Sequence, residues 1–143
     1  MDREQLFDDL VRDEGLKLEI YKCTAGKLTI GVGRNIEDRG ITTSEARLLL
    51  ANDVDIISDE LTTKFPWWVS MPEPAQRALA NMAFNLGVPR LSQFKNMLSA
   101  LEKGDYNVAA KEALDSNWAK QVGDRANRIA KVFREVGYES NNS

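Results

Sequence analysis

Two different spacings of apolar residues run through this chain. From Leu18 to Val32 the positions Leu18, Ile20, Leu28, Ile30 and Val32 alternate with polar or small residues, the period of a β-strand. Thr24-Ala25-Gly26-Lys27 separates the two runs and predicts a turn, so the stretch reads as a β-hairpin. On either side the spacing is helical. Leu6, Phe7, Leu10 and Val11 make one face of a first helix, with Asp2 placed to cap it and Gly15 to stop it. Residues 34–41, Arg-Asn-Ile-Glu-Asp-Arg-Gly-Ile, predict a loop that closes a sheet lobe of about residues 15–41, with no helix before the next long element.

Thr42-Thr-Ser-Glu45 has the form of a capping box. From Thr43 the positions Ala46, Leu49, Leu50, Val54, Ile57 and Leu61 predict a connecting helix over about 42–64, with Asp53, Asp55, Asp59 and Glu60 on its other face. Phe65-Pro66-Trp67-Trp68 and Met71-Pro72-Glu73-Pro74 break it, because proline lacks a donor and restricts the residue before it. Shorter helices follow. One runs from Pro74 to Leu86 on Ala75, Ala78, Leu79, Met82, Ala83 and Leu86, and Gly87-Val-Pro89 ends it. A second is capped by Ser92, buries Phe94, Met97, Leu98 and Leu101, and stops before Gly104. Asp105 caps a third over Tyr106–Leu114. Trp118 then precedes Gly123. Asp124 caps the last, with Ala126, Ile129, Ala130, Val132 and Phe133 inside; Gly137 is expected to stop it, and Glu139–Ser143 to fray. The fold class is α+β, mostly α: a small β-hairpin or sheet lobe, a long connecting helix, and a larger helical lobe of about 65–138 together with the first helix.

Composition narrows the function. At 143 residues the chain forms one domain, or two small lobes, with a real core. No apolar run approaches a membrane span, so no stable membrane insertion is expected. Asp2, Arg3, Glu4 and Gln5 make neither a signal peptide nor a signal anchor, which predicts folding in a cytoplasm. A single cysteine forbids an internal disulfide, and the absence of histidine removes His-activated nucleophiles and the usual zinc sets; no metal and no cofactor are expected. The net charge of −3 argues against nucleic acid as a partner.

The chemistry-bearing residues are an acid, a thiol and a hydroxyl: Glu14, then eight residues to Cys23, then five to Thr29. Glu14 closes the first helix, where the negative end of the helix dipole disfavours a carboxylate and favours the protonated form that a general acid needs. The plainer reading is a solvated helix-end glutamate. Cys23 taken alone is, in its plainer reading, a small core hydrophobe. Gly31 and Gly33 mark either a close approach of a ligand to the strand or a tight bend.

Glu14, Thr24-Ala25-Gly26 and Thr29-Ile30-Gly31-Val32-Gly33 resemble the signature of the phage-type lysozymes, glycoside hydrolase family 24. Cys23 stands where most members carry the catalytic aspartate. Further matches are Gln76-Arg-Ala-Leu-Ala-Asn81-Met-Ala-Phe84-Asn85-Leu-Gly87, Asp105-Tyr-Asn-Val-Ala-Ala110, Ser116-Asn-Trp118 and Arg125-Ala126-Asn-Arg128. The resemblance implies a lysozyme-like fold and hydrolysis of the β-1,4 bond from N-acetylmuramic acid to N-acetylglucosamine in peptidoglycan. By implication Glu14 protonates the leaving oxygen, Cys23 handles the developing positive charge or the water, and Thr29 places that water. Gly33, Asn35, Phe84, Asn85 and Gln121 are implied to bind the glycan, and Arg125 to orient Glu14. The implied biology is a monomeric endolysin held in a host cytoplasm until a holin releases it to the periplasm and cell wall, or a tail-associated lysin. Two other readings stay open: a lytic transglycosylase using Glu14 alone, and an inactive peptidoglycan-binding module. Cys23 could also serve as a redox control.

Overall fold

The computed structural model describes residues 1–142, which divide into two compact units, Met1–Leu49 and Leu50 onward. The architecture is α+β and mostly helical, as the spacing of apolar residues predicts. The first unit contains α1 (Arg3–Glu14), and the boundary between units falls inside the long helix.

In the first unit, the Asp2 carboxylate accepts the Gln5 N–H at 3.0 Å, and the Gly15 N–H closes α1 on Val11 O at 2.9 Å. Both ends of the helix therefore follow the expected chemistry. Three antiparallel strands come next, in the order β1 (Lys17–Lys22), β2 (Leu28–Gly31) and β3 (Arg34–Asn35). β1 pairs with β2 through Tyr21↔Thr29 and Lys22↔Leu28, and the register shifts between Lys17 and Tyr21. β2 pairs with β3 through Thr29↔Asn35 and Ile30↔Arg34. Val32 is thus not a strand residue; with Gly33 it forms the turn into β3.

The expected loop over 34–41 is instead β3 followed by a one-turn helix, α2 (Ile36–Arg39). Asn35 starts α2: its Oδ1 accepts the Asp38 N–H at 3.0 Å. Glu37 and Asp38 in the first turn suit the positive end of the helix, and Gly40 closes it on Ile36 O. Four residues hold too few apolar positions for a period to be read.

α3 (Thr43–Lys64) begins on the expected capping box. The Thr42 hydroxyl accepts the Glu45 N–H at 3.1 Å, and Glu45 Oε1 accepts the Thr42 N–H at 2.8 Å. Arg34 joins the same carboxylate with a two-pronged ion pair, 3.0 Å to Oε1 and 2.9 Å to Oε2, and also donates to Gly40 O at 3.2 Å. The last strand, the end of α2 and the start of α3 are therefore tied at one carboxylate.

The second unit carries the core. α3 is buried only near its end, at Leu61, before a 3-10 turn over Pro66–Ser70. The Trp68 indole donates to Gln76 O at 2.9 Å, and the Gln76 amide returns a bond to Trp68 O at 3.2 Å, which fastens that turn to α4 (Glu73–Leu86). α4 buries the six residues its spacing selects: Ala75, Ala78, Leu79, Met82, Ala83 and Leu86. α6 (Lys95–Lys103) packs on α7 (Tyr106–Leu114). α9 (Asp124–Asn142) packs on α4, α7 and α8 (Asn117–Val122), with Ala126, Ile129, Ala130, Phe133 and Val136 in the core.

Several expectations in this unit need correction. The Ser92 hydroxyl donates back to Val88 O at 2.8 Å and finishes a short helix, α5 (Val88–Leu91); α6 starts after Phe94 with no side-chain cap. Phe94 is only partly buried. Asp105 stands at the start of α7 but makes no side-chain cap bond. Ser116, not read as a cap, accepts the Ala119 N–H at 3.1 Å and starts α8. Gly137 does not stop α9, which runs on to Asn142 through the segment expected to fray, while Ser143 lies outside the described residues. The reason for glycine at 137 is space: a Cβ there would lie 3.1 Å from Tyr106 Cβ, so α9 passes against the first turn of α7.

Two predictions follow from these contacts. At an exposed helical site Gly→Ala gains roughly 1 kcal/mol. At Gly137 crowding against Tyr106 outweighs that gain, so G137A is expected to lower stability by about 1 kcal/mol, read as a lower urea midpoint. A higher midpoint would show that the helices have room. The second concerns Glu45, whose carboxyl is held at about 2, against an ordinary 4.5, by Arg34 first and then by Thr42. A carboxyl depressed on folding stabilises above its unfolded value and loses that contribution as pH falls through its folded value. The stability difference between wild type and E45Q should be full above pH 4.5 and fade toward pH 2; a constant difference across that range would contradict it.

Candidate active site

The first unit brings the acid, the thiol and the hydroxyl onto the end of α1 and the adjoining sheet. Glu14 is the last residue of α1. Its carboxyl lies against the Gly33 backbone: a Cβ at Gly33 would meet Oε2 at 3.0 Å. Gly33 also has φ +68°, a conformation costly for other residues. The tight-bend reading of the glycines therefore holds, and at Gly33 the bend also leaves room for the acid.

Cys23 follows β1 and is half-buried. Its N–H donates to Lys27 O at 3.0 Å, and its carbonyl accepts the Gly26 N–H at 2.8 Å, closing the turn on itself. The Lys27 N–H first, then the Ala25 N–H favour the thiolate; they outweigh desolvation and hold Cys23 below the ordinary thiol range. No imidazole or ammonium is needed for this effect, because backbone amides stabilise an anion directly.

Thr29 lies on β2 and is 2% exposed. Its hydroxyl donates to Lys27 O at 2.8 Å. With its one proton committed there, the oxygen is left as an acceptor, able to take a proton from water or from a sugar hydroxyl. Lys27 therefore organises both candidate groups through its backbone. Sequence reasoning missed it because the side chain takes no part in those contacts; the only available signal was its place at the end of the turn.

The remaining site expectations find varied settings. Asn35 pairs with Thr29 across the sheet, but its amide is engaged at both ends: Oδ1 accepts from Asp38 N–H, and Nδ2 donates to Asp38 Oδ2 at 3.0 Å. In the second unit, Asn85 Oδ1 accepts the Trp118 indole N–H at 2.8 Å. Gln121 is exposed and shares with Trp118 a hollow of about 430 Å3. Phe84 is 45% exposed and borders an apolar hollow of about 390 Å3 with Leu50, Val54, Ile57 and Arg125. Arg125 donates to Asn81 Oδ1 at 2.9 Å and to Asn81 O at 3.2 Å. Asn81 and Trp118 are thus partners that were not assigned beforehand; Asn81 stands one helical turn before Asn85. Among the described residues no group of three His, Cys, Asp or Glu side chains is arranged to hold a metal ion.

Comparison with known proteins places the chain in a family. Residues 11–132 match the family model described as phage lysozyme. The chain is 31% identical to the pre-baseplate central spike protein Gp5 of Enterobacteria phage T4 over 92% of its own length, although it spans only 28% of that protein. It is 30% identical to probable T4-type lysozyme 2 of Dictyostelium discoideum, covering 90% of the chain and 92% of the relative. An endolysin of Acyrthosiphon pisum secondary endosymbiont phage 1 is 32% identical, over 80% and 78%. An acid at the end of α1, a thiol and a hydroxyl on the following hairpin, and a match along most of the chain lead to one assignment: the chain belongs to the phage lysozyme family, glycoside hydrolases that act on peptidoglycan.

Proposed function

We propose that this lysozyme hydrolyses the β-1,4 bond from N-acetylmuramic acid to N-acetylglucosamine, with Glu14, Cys23 and Thr29 as its catalytic residues. The observation that carries the reading is the shared Lys27 carbonyl, which fixes Cys23 and Thr29 together on the hairpin that follows Glu14. Glu14 donates its proton to the glycosidic oxygen as the bond to C1 breaks. The Cys23 thiolate balances the positive charge developing on the sugar. Thr29 accepts a hydrogen bond from the attacking water, whose oxygen joins C1 and whose proton passes to the thiolate. Solvent then returns a proton to Glu14 and removes one from Cys23. Gly33 and Asn35 beside the catalytic hairpin, and Gln121 and the exposed Phe84 ring on the second unit, are the proposed glycan contacts, with Asn85 held for the same purpose by Trp118.

The biological setting we infer is that of an endolysin. The match to a phage endolysin along most of its length supports this. A monomer would accumulate in the host cytoplasm and reach the wall once a holin permeabilises the membrane. The match to a baseplate spike protein favours a second setting, a lysin carried on a phage tail. Mass analysis of soluble muropeptides from digested peptidoglycan tests the chemistry. Reducing-end muramic products are expected. Products lighter by one water would assign a transglycosylase, and no soluble product from folded protein a binding module.

Replacement of the acid should be decisive. E14Q is expected to lose roughly 10²–10⁴-fold in turnover without loss of fold, the range of a general acid's contribution. Activity within a few-fold of wild type would remove Glu14 from the mechanism.

Because the working form is a thiolate, turnover should fall as pH drops through the Cys23 midpoint, itself below the unperturbed value of about 8.5. Rates of alkylation with iodoacetamide measure that midpoint independently of lysis. Full turnover after complete alkylation would exclude Cys23 from the chemistry.

A further inference from the structure

Glu37, in the first turn of the short helix α2, is not among the candidate site residues. One of its oxygens accepts the Leu28 N–H at 3.3 Å, and the other pairs with the Lys27 ammonium at 3.4 Å. Asp38 reaches the same ammonium at 3.3 Å. These contacts meet at one peptide unit. The Leu28 N–H and the Lys27 carbonyl belong to the same planar group and point to opposite sides of the chain. On one side the carbonyl takes the Cys23 N–H at 3.0 Å and the Thr29 hydroxyl at 2.8 Å. On the other, the N–H ends on a carboxylate. Rotation of that plane breaks all three bonds together.

We propose that Glu37 is a positioning residue for the Cys23–Thr29 pair, acting through the Lys27–Leu28 peptide plane. The ion pair to Lys27 is exposed and adds little to stability by itself. The effect of Glu37 is directional: an acceptor oxygen on the N–H side orients the plane and polarises the carbonyl opposite, which strengthens its hold on the Thr29 hydroxyl. The next amide back along the chain, the Lys27 N–H, is the leading support of the Cys23 thiolate, so its aim depends on the same residue being held. The inference rests on the catalytic reading of Cys23 and Thr29 for its consequence in turnover, but not for its geometry.

The test uses the full chain with E37A and E37Q, each checked for fold by circular dichroism. In E37A the freed turn withdraws the Lys27 N–H, and the Cys23 alkylation midpoint should rise by about half a pH unit or more, roughly threefold less thiolate at a fixed pH below it. Turnover on peptidoglycan should fall several-fold while the half-saturating wall concentration stays unchanged. E37Q keeps an oxygen for the Leu28 N–H and gives up only the ion pair, so it should stay within about twofold of wild type. An unmoved thiol midpoint in folded E37A overturns the proposal, as does an E37Q protein as impaired as E37A. If wild type proves inactive on peptidoglycan while the thiol midpoint still moves in E37A, the catalytic reading fails and the positioning stands.

Discussion

The carbonyl of Lys27 receives two hydrogen bonds, from the Cys23 amide and from the Thr29 hydroxyl, and the first unit is arranged around them. The bond to Cys23 closes the turn that sets Lys22 opposite Leu28 and Tyr21 opposite Thr29. A slip of one residue would turn Thr29 to the other face of the sheet and leave its present place empty. The bond to Thr29 satisfies a nearly inaccessible hydroxyl, which would otherwise carry the penalty of an unpaired buried polar group. Folding and the proposed chemistry therefore ask for the same contact. The hydroxyl is buried stably only by giving its proton to Lys27, and that gift leaves its oxygen as an acceptor.

A similar economy holds at the start of α3. Glu45 completes the helix cap, receives both arms of Arg34 and so holds β3, the strand that covers Thr29 from the other edge. The second unit obtains its rigidity differently. Its helices approach closely because small residues line their contacts: Ala75, Ala78 and Ala83 on α4, Ala109, Ala110 and Ala113 on α7, and Gly137 on α9. Close approach multiplies dispersion contacts without long side chains to order. Within this frame Trp118 can reach Asn85 across the helices, so a core aromatic also fixes a polar residue at the surface.

How much of this was legible in the residues depended on whether the signal was local. The capping box of α3, the Asp2 cap and the buried face of α4 are each written in a few neighbouring positions, and each forms as read. Helices α2, α5 and α8 span four to six residues, too short for a period, and are specified by caps and glycines alone. Gly137 was misread for a different reason. A helix-ending glycine and a helix-packing glycine look identical until the opposing residue, here Tyr106, is known. For the site, the spacing of Glu14, Cys23 and Thr29 was visible, whereas the contacts that join them run through backbone atoms of Lys27, Ala25 and Gly33, which any side chain can supply.

That last point bears on the thiol at position 23. The resemblance read from the sequence leads one to expect an aspartate there, whereas a thiol at neutral pH is ordinarily uncharged. If the anion at this place were supported by a matched side chain, exchange of carboxylate for sulfur would disturb size, reach and charge together. Here its leading supports are instead the N–H groups of a tight turn. Such donors form a small anion-binding concavity that does not discriminate strongly among anions. The turn accordingly lowers the Cys23 pKa through its backbone N–H groups in a chain without histidine, provided it keeps its shape. The identity of residue 23 is then less constrained than the backbone around it, and the demand for precision passes to the residues that hold the Lys27–Leu28 peptide.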